Sequence, residues 1–339
     1  MTRILCPRPR VLLASQHNNR AFQKQIAAGV KMGGGELVAI VEKTPKQLRS
    51  SRLLVSGGRL RRMLIDRYSP RMAARIVYLD QDDPDGLARI VRKFRIDLVI
   101  LARWDLLPAN VLELPPLGTI NTHISLLPQL RGSSPIKGAL LAGLKQTGVT
   151  VHFIDAGIDT GDIIAQRSFP ILCSDTEHSI EMRAANLLRG TYAEVMDFFQ
   201  SGNVPRQRQE TSKGSYFSWR SCFDFDGTSS LGIDWSAPAW LIERVATMHQ
   251  CHILCGREHL AIEKTEGIFC KTNGMVGSIL DVGRNHLVVQ AGTGAIKLAV
   301  GFRDSDGWEN RFERFNVGDC LSSKAWPGWR KVVAWATHQ

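Results

Sequence analysis

The chain has 339 residues, 44% of them hydrophobic and 22% charged, a composition typical of a soluble globular protein with two domains. Its apolar runs are too short to cross a bilayer or to act as a secretion signal, and its seven cysteines are scattered, so we expect a cytoplasmic protein without membrane association or a disulfide framework. The formal net charge is +11. The stretch from Lys43 to Arg75 contains ten Lys or Arg residues and one acidic residue, and it forms either a solvated surface or a surface that contacts phosphates.

The first two hundred residues alternate apolar runs with helical patterns, which indicates βαβ units around a mostly parallel sheet. Strands are predicted over 11–15, 36–41, 76–79, 96–102, 119–123 and 149–155. Helices are predicted over 20–31, 83–92, 135–144 and 174–201, and the basic stretch is predicted to be helical in pieces. The predicted fold class is therefore α/β, with a Rossmann-like first domain over residues 1–203.

The composition changes after residue 203. Residues 204–232 are rich in polar residues and glycine, which predicts a linker or an ordered loop. A helix is predicted over 238–249, and short alternating runs separated by Gly and Asn turns follow it. We therefore expect residues 233–339 to form a small β-rich domain of the barrel type.

One strand of the first domain carries an amide and an imidazole. Asn121 and His123 lie two residues apart on the predicted strand 119–123, so they point to the same face. In an open parallel sheet, sites lie beyond the carboxyl ends of the strands. The Gly- and Asp-rich loop from Asp155 to Asp162 can bring an acid to this edge. These residues alone allow acid/base chemistry, but also a structural histidine and a simple turn.

Three stretches carry a resemblance to a known family. Residues 117–136, 143–152 and 155–163 resemble the formyltransferase family in order and spacing over some fifty residues. This family includes methionyl-tRNA, glycinamide ribonucleotide and amino-sugar formyltransferases. The resemblance implies 10-formyltetrahydrofolate as formyl donor. It also implies that Asn121, His123 and Asp159 are the catalytic residues, with Asn121 and protonated His123 stabilising an oxyanion and Asp159 assisting proton transfer.

The resemblance also implies two sets of binding residues. The folate would contact the loop after the strand 96–102 and the loop after the strand 149–155, at Trp104, Asp105, Leu106, Leu107, Ala156, Gly157 and Ile158. Core packing is an equal alternative for Leu106 and Leu107. The acceptor would contact the turn after the first strand and the loop after His123, at Ser15, Gln16, Asn18, Ser125, Arg131 and Gly132.

The identity of the acceptor rests on weaker signals. From Ile233 onward the chain resembles the smaller, OB-like barrel domain of methionyl-tRNA formyltransferases, which with the basic charge favours initiator methionyl-tRNA. Against this, the chain lacks their inserted basic loop near residues 42–52, and the turn from Ala14 to Asn19 differs from theirs. We expect a small amine, such as an amino-sugar nucleotide, and keep initiator methionyl-tRNA as the alternative.

Other functions are open to different degrees. Hydrolysis of formyltetrahydrofolate by the same three residues is a further alternative, because water can replace the amine. A nucleotide-dependent dehydrogenase is discounted, since residues 15–20 contain no glycine, and an RNA-binding module without catalysis would leave the three residues unexplained. Cys251, Cys255 and His259 lack a second Cys pair, so no metal site is predicted.

Overall fold

The computed structural model describes most of the chain. The described residues are 8–16, 19–43, 67–69, 74–79, 83, 85–105, 107–172, 174–218, 231–248, 251–255, 258–268, 272–284, 286–304, 307–309, 315–321, 331–332 and 335. Most of the basic stretch, at residues 44–66 and 70–73, lies outside the described residues, as do Asn18 and Leu106. The chain divides into two compact units, one of residues 1–135 and 145–216 and one of residues 136–144 and 217–339.

The first unit contains an eight-stranded sheet in the order β3-β4-β2-β1-β5-β6-β7-β8. Its strands are β1 (Arg10–Ser15), β2 (Glu36–Lys43), β3 (Arg67–Ser69), β4 (Ala74–Leu79), β5 (Leu98–Ala102), β6 (Thr119–His123), β7 (Gln146–Phe153) and β8 (Ile163–Pro170). The five strands from β4 to β6 in this order pair in parallel, whereas β3, β7 and β8 pair antiparallel. The predicted mostly parallel sheet with flanking helices is confirmed.

The centre of this sheet is apolar on both faces, as buried parallel strands require. Residues Val11 to Ala14 of β1 and Leu98 to Ala102 of β5 are all buried. The edge strand β8 has no counterpart among the predicted strands. Its outer half, from Gln166 onward, is partly or fully exposed and begins with three polar residues, so it lacks the apolar run that marks the inner strands. The short strand β3 lies where the basic stretch was predicted to be helical.

Helices of the first unit are α1 (Arg20–Met32), α2 (Gly86–Lys93), α3 (Ala109–Leu112) and α5 (Glu177–Ser201), while α4 (Pro135–Leu141) falls mostly in the second unit. Helix α5 begins with a capping box between Thr176 and Ser179 and ends at Gly202, whose φ is 68°. Helices α1 and α5 approach closely because Gly29 and Gly33 have no Cβ. A Cβ on Gly29 would lie 2.5 Å from the Arg189 carbonyl oxygen. None of the described helices is long and apolar enough to cross a membrane.

The second unit contains β9 (Leu231–Gly232), α6 (Ala239–Met248), β10 (Cys251–Cys255), β11 (Glu258–Ile268), β12 (Ile279–Gly283), β13 (His286–Gln290), β14 (Ala295–Asp304) and β15 (Gly307–Glu309). The strands run in the order β12-β13-β14-β11-β10-β9, with β15 beside β14, and all pair antiparallel except β9 with β10. Buried residues such as Leu260, Leu287 and Leu298 form its core. This arrangement is consistent with the predicted small barrel.

The predicted functional division, into a catalytic domain (1–203), a linker (204–232) and an OB-like domain (233–339), stays a prediction. The first compact unit extends to Tyr216, so the beginning of the predicted linker belongs to it. In this segment, the backbone of Gln207 pairs with Ile163 at the start of β8.

Candidate functional site

The site is built on two neighbouring antiparallel strands, β6 and β7. Their register places Asn121 opposite His152 and His123 opposite Thr150. Because side chains alternate along a strand, Asn121 and His123 face one side of the sheet and Thr122 faces the other. On that other side, the Thr122 hydroxyl lies 2.6 Å from the buried Tyr192 hydroxyl of helix α5. Asn121 and His123 therefore lie on a strand whose opposite face is bound to helix α5 by the hydrogen bond between Thr122 and Tyr192.

The loop after β7 brings Asp159 to the same place. Its Oδ2 atom lies 3.5 Å from His123 Nδ1 and accepts a hydrogen bond of 2.9 Å from the Gly132 backbone N–H. Its Oδ1 atom accepts a hydrogen bond of 3.3 Å from the Asn121 amide and lies 3.5 Å from His152 Nε2. The structure thus brings the three predicted catalytic residues together around one carboxylate.

Asp159 is ionised in this setting. Burial acts to raise the pKa of its carboxyl group, but His152, His123 and the Gly132 N–H outweigh that effect and lower the pKa to about 2. The backbone of Asp159 has a φ of 54°, in the left-handed region that residues with side chains seldom adopt. Unusual backbone conformations of this kind concentrate at functional sites.

The imidazole of His123 is buried and has one nitrogen already engaged. Its Nε2 atom lies 2.9 Å from the Leu130 carbonyl oxygen, which can only accept, so Nε2 carries the hydrogen. The nitrogen that gains or loses a proton is therefore Nδ1, which faces Asp159. The pKa of His123 is lowered overall, because burial and, to a smaller extent, His152 outweigh the charge of Asp159 and the Leu130 carbonyl, which act to raise it.

His152 is the residue of this cluster that the sequence reasoning missed. Its Nδ1 donates to the Phe153 carbonyl at 2.7 Å, so Nε2 is an acceptor in the neutral ring, whereas in the protonated ring Nε2 carries a hydrogen directed at Asp159 Oδ1 and lowers the pKa of that carboxyl group. The Asn121 amide nitrogen lies 3.2 Å from this Nε2 atom and can donate one hydrogen to it and the other to Asp159. A signal was present, because Thr150 and His152 are the polar positions alternating with Val149, Val151 and Phe153.

The loop after β6 is fixed by internal hydrogen bonds. The Ser125 hydroxyl is buried and donates to the Gln129 carbonyl at 2.6 Å, so it is already engaged. The Gly132 N–H is committed to Asp159. The Nε atom of Arg131 is buried and has no hydrogen-bond partner within the described part of the chain. Of these three predicted acceptor contacts, Arg131 alone carries a polar side-chain atom left unsatisfied.

The turn after β1 holds the other predicted acceptor contacts. The Ser15 hydroxyl is buried and lacks a hydrogen-bond partner among the residues that the structure describes. The Gln16 carbonyl accepts from Asn19 N and from the Gln23 side chain. Ser15 pairs in register with Ala102 of β5, the strand beside β6, so this turn and the β6 residues lie at the same edge of the sheet.

The predicted folate-binding residues fall into two groups. After β5, Trp104 and Leu107 are partly buried and pack on the core, while Asp105 is exposed and forms an ion pair with Lys43. Lys43 also lies 5.4 Å from the centre of the Trp104 ring. After β7, Ala156, Gly157 and Ile158 are exposed, with Ile158 45% exposed. An exposed isoleucine next to Asp159 suits contact with an apolar or aromatic ligand.

No group of His, Cys, Asp or Glu side chains in the described ranges is placed to hold a metal ion. The side chains gathered at the site are an ionised carboxylate, an imidazole with one titrating nitrogen and an amide.

Comparison with known proteins shows the family. Residues 11–196, more than half of the chain, match the family model of formyl transferases. A methionyl-tRNA formyltransferase from Stutzerimonas stutzeri is 32% identical over 70% of this chain and 76% of its own, and one from Caldanaerobacter subterraneus is 28% identical over 78% and 84%.

Solved structures show the same fold at lower identity. An N-formyltransferase from Helicobacter canadensis, solved in complex with folinic acid and dTDP-3-aminofucose, has a TM-score of 0.54 and 15% identity, covering 87% of this chain and 100% of that one. This likeness shows the fold alone. With the family match and the relatives' identities, it follows that this chain belongs to the formyl transferase family, enzymes that transfer formyl groups.

Proposed function

We propose that this protein transfers the formyl group of 10-formyltetrahydrofolate to a primary amine, with Asn121, His123 and Asp159 as its catalytic residues. One observation carries the proposal. The ionised carboxylate of Asp159 faces the single titrating nitrogen of a buried histidine, at 3.5 Å, beside an amide that donates to the same carboxylate. Family membership supplies the group that is transferred and its dependence on folate.

The geometry supports a separate role for each group. The acceptor amine attacks the formyl carbon, and the carbonyl oxygen becomes an oxyanion. The charge of Asp159 favours the imidazolium form of His123, which offsets the developing negative charge. Both hydrogens of the Asn121 amide are engaged, so donation to the oxyanion replaces its contact with Asp159.

Proton transfer completes the exchange. The attacking nitrogen must lose a proton, and N10 of the folate must gain one as its bond to the formyl carbon breaks. Asp159 lies in the position to relay this proton through water, because its carboxylate is partly accessible, with 13% of the side chain exposed. Atoms and charge balance without a metal or a redox partner.

For the donor, we propose that the pterin contacts the exposed segment of Ala156, Gly157 and Ile158 and the loop containing Trp104, Asp105 and Leu107. The exposed Ile158 side chain and the partly buried Trp104 ring offer apolar surface at the sheet edge where the catalytic residues lie. Leu106, also predicted to bind the donor, lies outside the described residues.

For the acceptor, we propose the α-amine of initiator methionyl-tRNA, reversing the preference drawn from the sequence. Two relatives named methionyl-tRNA formyltransferase align with 70% and 78% of this chain, whereas the N-formyltransferase solved with dTDP-3-aminofucose resembles it in fold only. The net charge of +11 agrees with a polyanionic acceptor. An amino-sugar nucleotide is the second candidate, favoured by the Ala14–Asn19 turn and by the missing basic loop.

The test separates these acceptors. The protein is incubated with 10-formyltetrahydrofolate and with charged initiator tRNA, a panel of amino-sugar nucleotides or no acceptor. Folate absorbance and the masses of the products are followed. Formylmethionyl-tRNA is the expected product. A formylated sugar would select the second candidate, folate turnover without amine would identify a hydrolase, and no turnover together with no donor binding would overturn the proposal.

A further inference from the structure

The segment after helix α5 crosses both loops of the site. The backbone of Gln207 pairs with Ile163 in both directions, at 2.8 and 3.0 Å. Farther along, the Ser215 carbonyl accepts from Arg131 N at 2.9 Å, and the Ser215 hydroxyl accepts from Leu130 N at 3.0 Å. We call residues 207–216 the crossing segment. It connects the loop after β7, which carries Asp159, to the loop after β6, whose Leu130 carbonyl binds His123.

Between these two anchors, one side chain enters the Asp159 loop. Gln209 is 8% exposed, and its amide nitrogen donates to the Asp159 carbonyl at 3.1 Å and to the Gly161 carbonyl at 2.6 Å. Its Oε1 atom is buried without a hydrogen-bond partner among the described residues. Burying an unsatisfied oxygen is unfavourable. The two hydrogen bonds of the amide nitrogen therefore account for the buried position of the Gln209 side chain.

The turn that Gln209 binds has an unusual backbone conformation. Asp159 has a φ of 54°, which a residue with a Cβ seldom adopts unless its surroundings hold it there. Two residues farther along, a Cβ on Gly161 would lie 2.0 Å from the Phe153 carbonyl oxygen, so this turn packs tightly against the end of β7. A donor that binds both carbonyls fixes the direction in which the Asp159 side chain leaves the turn.

We propose that Gln209 is a positioning residue for the acid of the site: its amide holds the Asp159–Gly161 turn so that the Asp159 carboxylate faces Asn121 and His123. The amide nitrogen of Gln209 bonds to the Asp159 and Gly161 carbonyls and not to Asn121 or His123, so it acts on the site through the Asp159–Gly161 turn. The catalytic part of this inference rests on the proposed function, whereas the positioning part does not.

Loss of the Gln209 amide has a defined effect on His123. Three groups face this imidazole: Asp159 from the loop after β7, His152 from β7 and the Leu130 carbonyl from the loop after β6. Of these groups, Asp159 favours the protonation of His123 and His152 opposes it. A displaced carboxylate therefore leaves His123 harder to protonate, which an imidazole titration detects without any turnover.

The test uses Gln209→Met, which keeps the length of the side chain but has no donor, and Gln207→Met as its matched control. Gln207 lies two residues away in the same segment, is exposed, and makes its contacts to Ile163 through the backbone. The ¹⁵N shifts of the His123 imidazole are followed through a pH titration, with Asp159→Asn as the reference for complete loss of the carboxylate. Folding is checked by thermal unfolding, and kcat and KM for the folate donor are measured separately.

In Gln209→Met we expect the His123 titration to move toward that of Asp159→Asn. We expect kcat to fall by about tenfold to a hundredfold, the cost of a misplaced catalytic group, with KM changed less than threefold. Gln207→Met should match the wild type in the His123 titration, in kcat and in KM. Gln209→Glu, which turns the donor into an acceptor at neutral pH, should lower kcat as Gln209→Met does.

The outcomes separate the two proposals. A His123 titration in Gln209→Met equal to that of Gln207→Met overturns the positioning role, even if the enzyme transfers formyl groups. A shifted titration in a protein without formyl transfer supports positioning and removes the proposed function. Failure of both Gln209 variants to fold would assign the residue a purely structural role and overturn the inference.

Discussion

His123 Nδ1 and Asp159 Oδ2 lie 3.5 Å apart, while the other nitrogen of the ring is bound to the Leu130 carbonyl. This arrangement leaves a single place on the imidazole where a proton can be exchanged. It also makes the protonation of His123 depend on the charge of Asp159, because burial alone would keep the ring neutral.

Replacing Asp159 by Asn should reduce kcat by at least the 10²-fold typical of an acid/base group. The same change should lower the pKa of His123, because Asp159 is the charged group that raises it. Steady-state kinetics between pH 5 and 9 and an imidazole titration measure the two effects. Full activity in this variant would remove Asp159 from the mechanism. His123→Ala should also reduce kcat by at least 10²-fold, and full activity in it would remove His123 from the mechanism.

Asp159 should also make stability depend on pH. Its folded-state pKa of about 2 lies below the ordinary value of 3.8, so its stabilising effect is present above the ordinary value and is lost as the pH falls toward 2. The difference corresponds to about 2 kcal/mol of unfolding free energy. Urea unfolding of the wild type and of Asp159→Asn should show a gap in unfolding free energy that narrows as the pH falls below 4. A gap that does not narrow would contradict the shifted pKa.

The sequence could predict those parts of the site that follow from regular periodicity. Asn121 and His123 share a face because a strand repeats every two residues, and the same rule applied to Thr150 and His152 would have found His152. The partnership of Asp159 with His123 came from the family resemblance, since a loop has no period. Gln209 could not be found at all, because its bonds join residues 48 and 50 positions apart through irregular backbone.

His152 should support the site through Asn121. In the neutral ring its Nε2 accepts from the Asn121 amide at 3.2 Å, which fixes the orientation of that amide. Replacing His152 by Phe removes this acceptor, and we expect kcat to fall by about tenfold or more, as for other groups that orient catalytic residues. His152→Gln, which keeps an acceptor oxygen, should lose less. Equal losses in the two variants would show that the acceptor is not what matters.

The hydroxyl pair behind the catalytic strand should contribute to stability. Thr122 and Tyr192 are both buried and 2.6 Å apart, so Tyr192→Phe leaves the threonine hydroxyl unsatisfied. We expect a loss of about 1–3 kcal/mol of unfolding free energy. The double variant Thr122→Val with Tyr192→Phe removes both partners and should lose less than the sum of the single changes. Additive losses would mean that the two hydroxyls do not interact.

The close approach of helices α1 and α5 predicts opposite effects for two glycine substitutions. A Cβ on Gly29 would lie 2.5 Å from the Arg189 carbonyl oxygen, which cannot move without shifting the helix, so Gly29→Ala should destabilise the protein by about 1–3 kcal/mol. Gly190 lies on α5 with nothing within 4 Å of an added Cβ, and Gly190→Ala should stabilise the protein by about 0.5–1 kcal/mol through helix propensity. Thermal and urea unfolding of the two variants give the comparison. Because both replace a helical glycine by alanine, a shared sign would show that backbone propensity, and not the contact between the helices, governs Gly29.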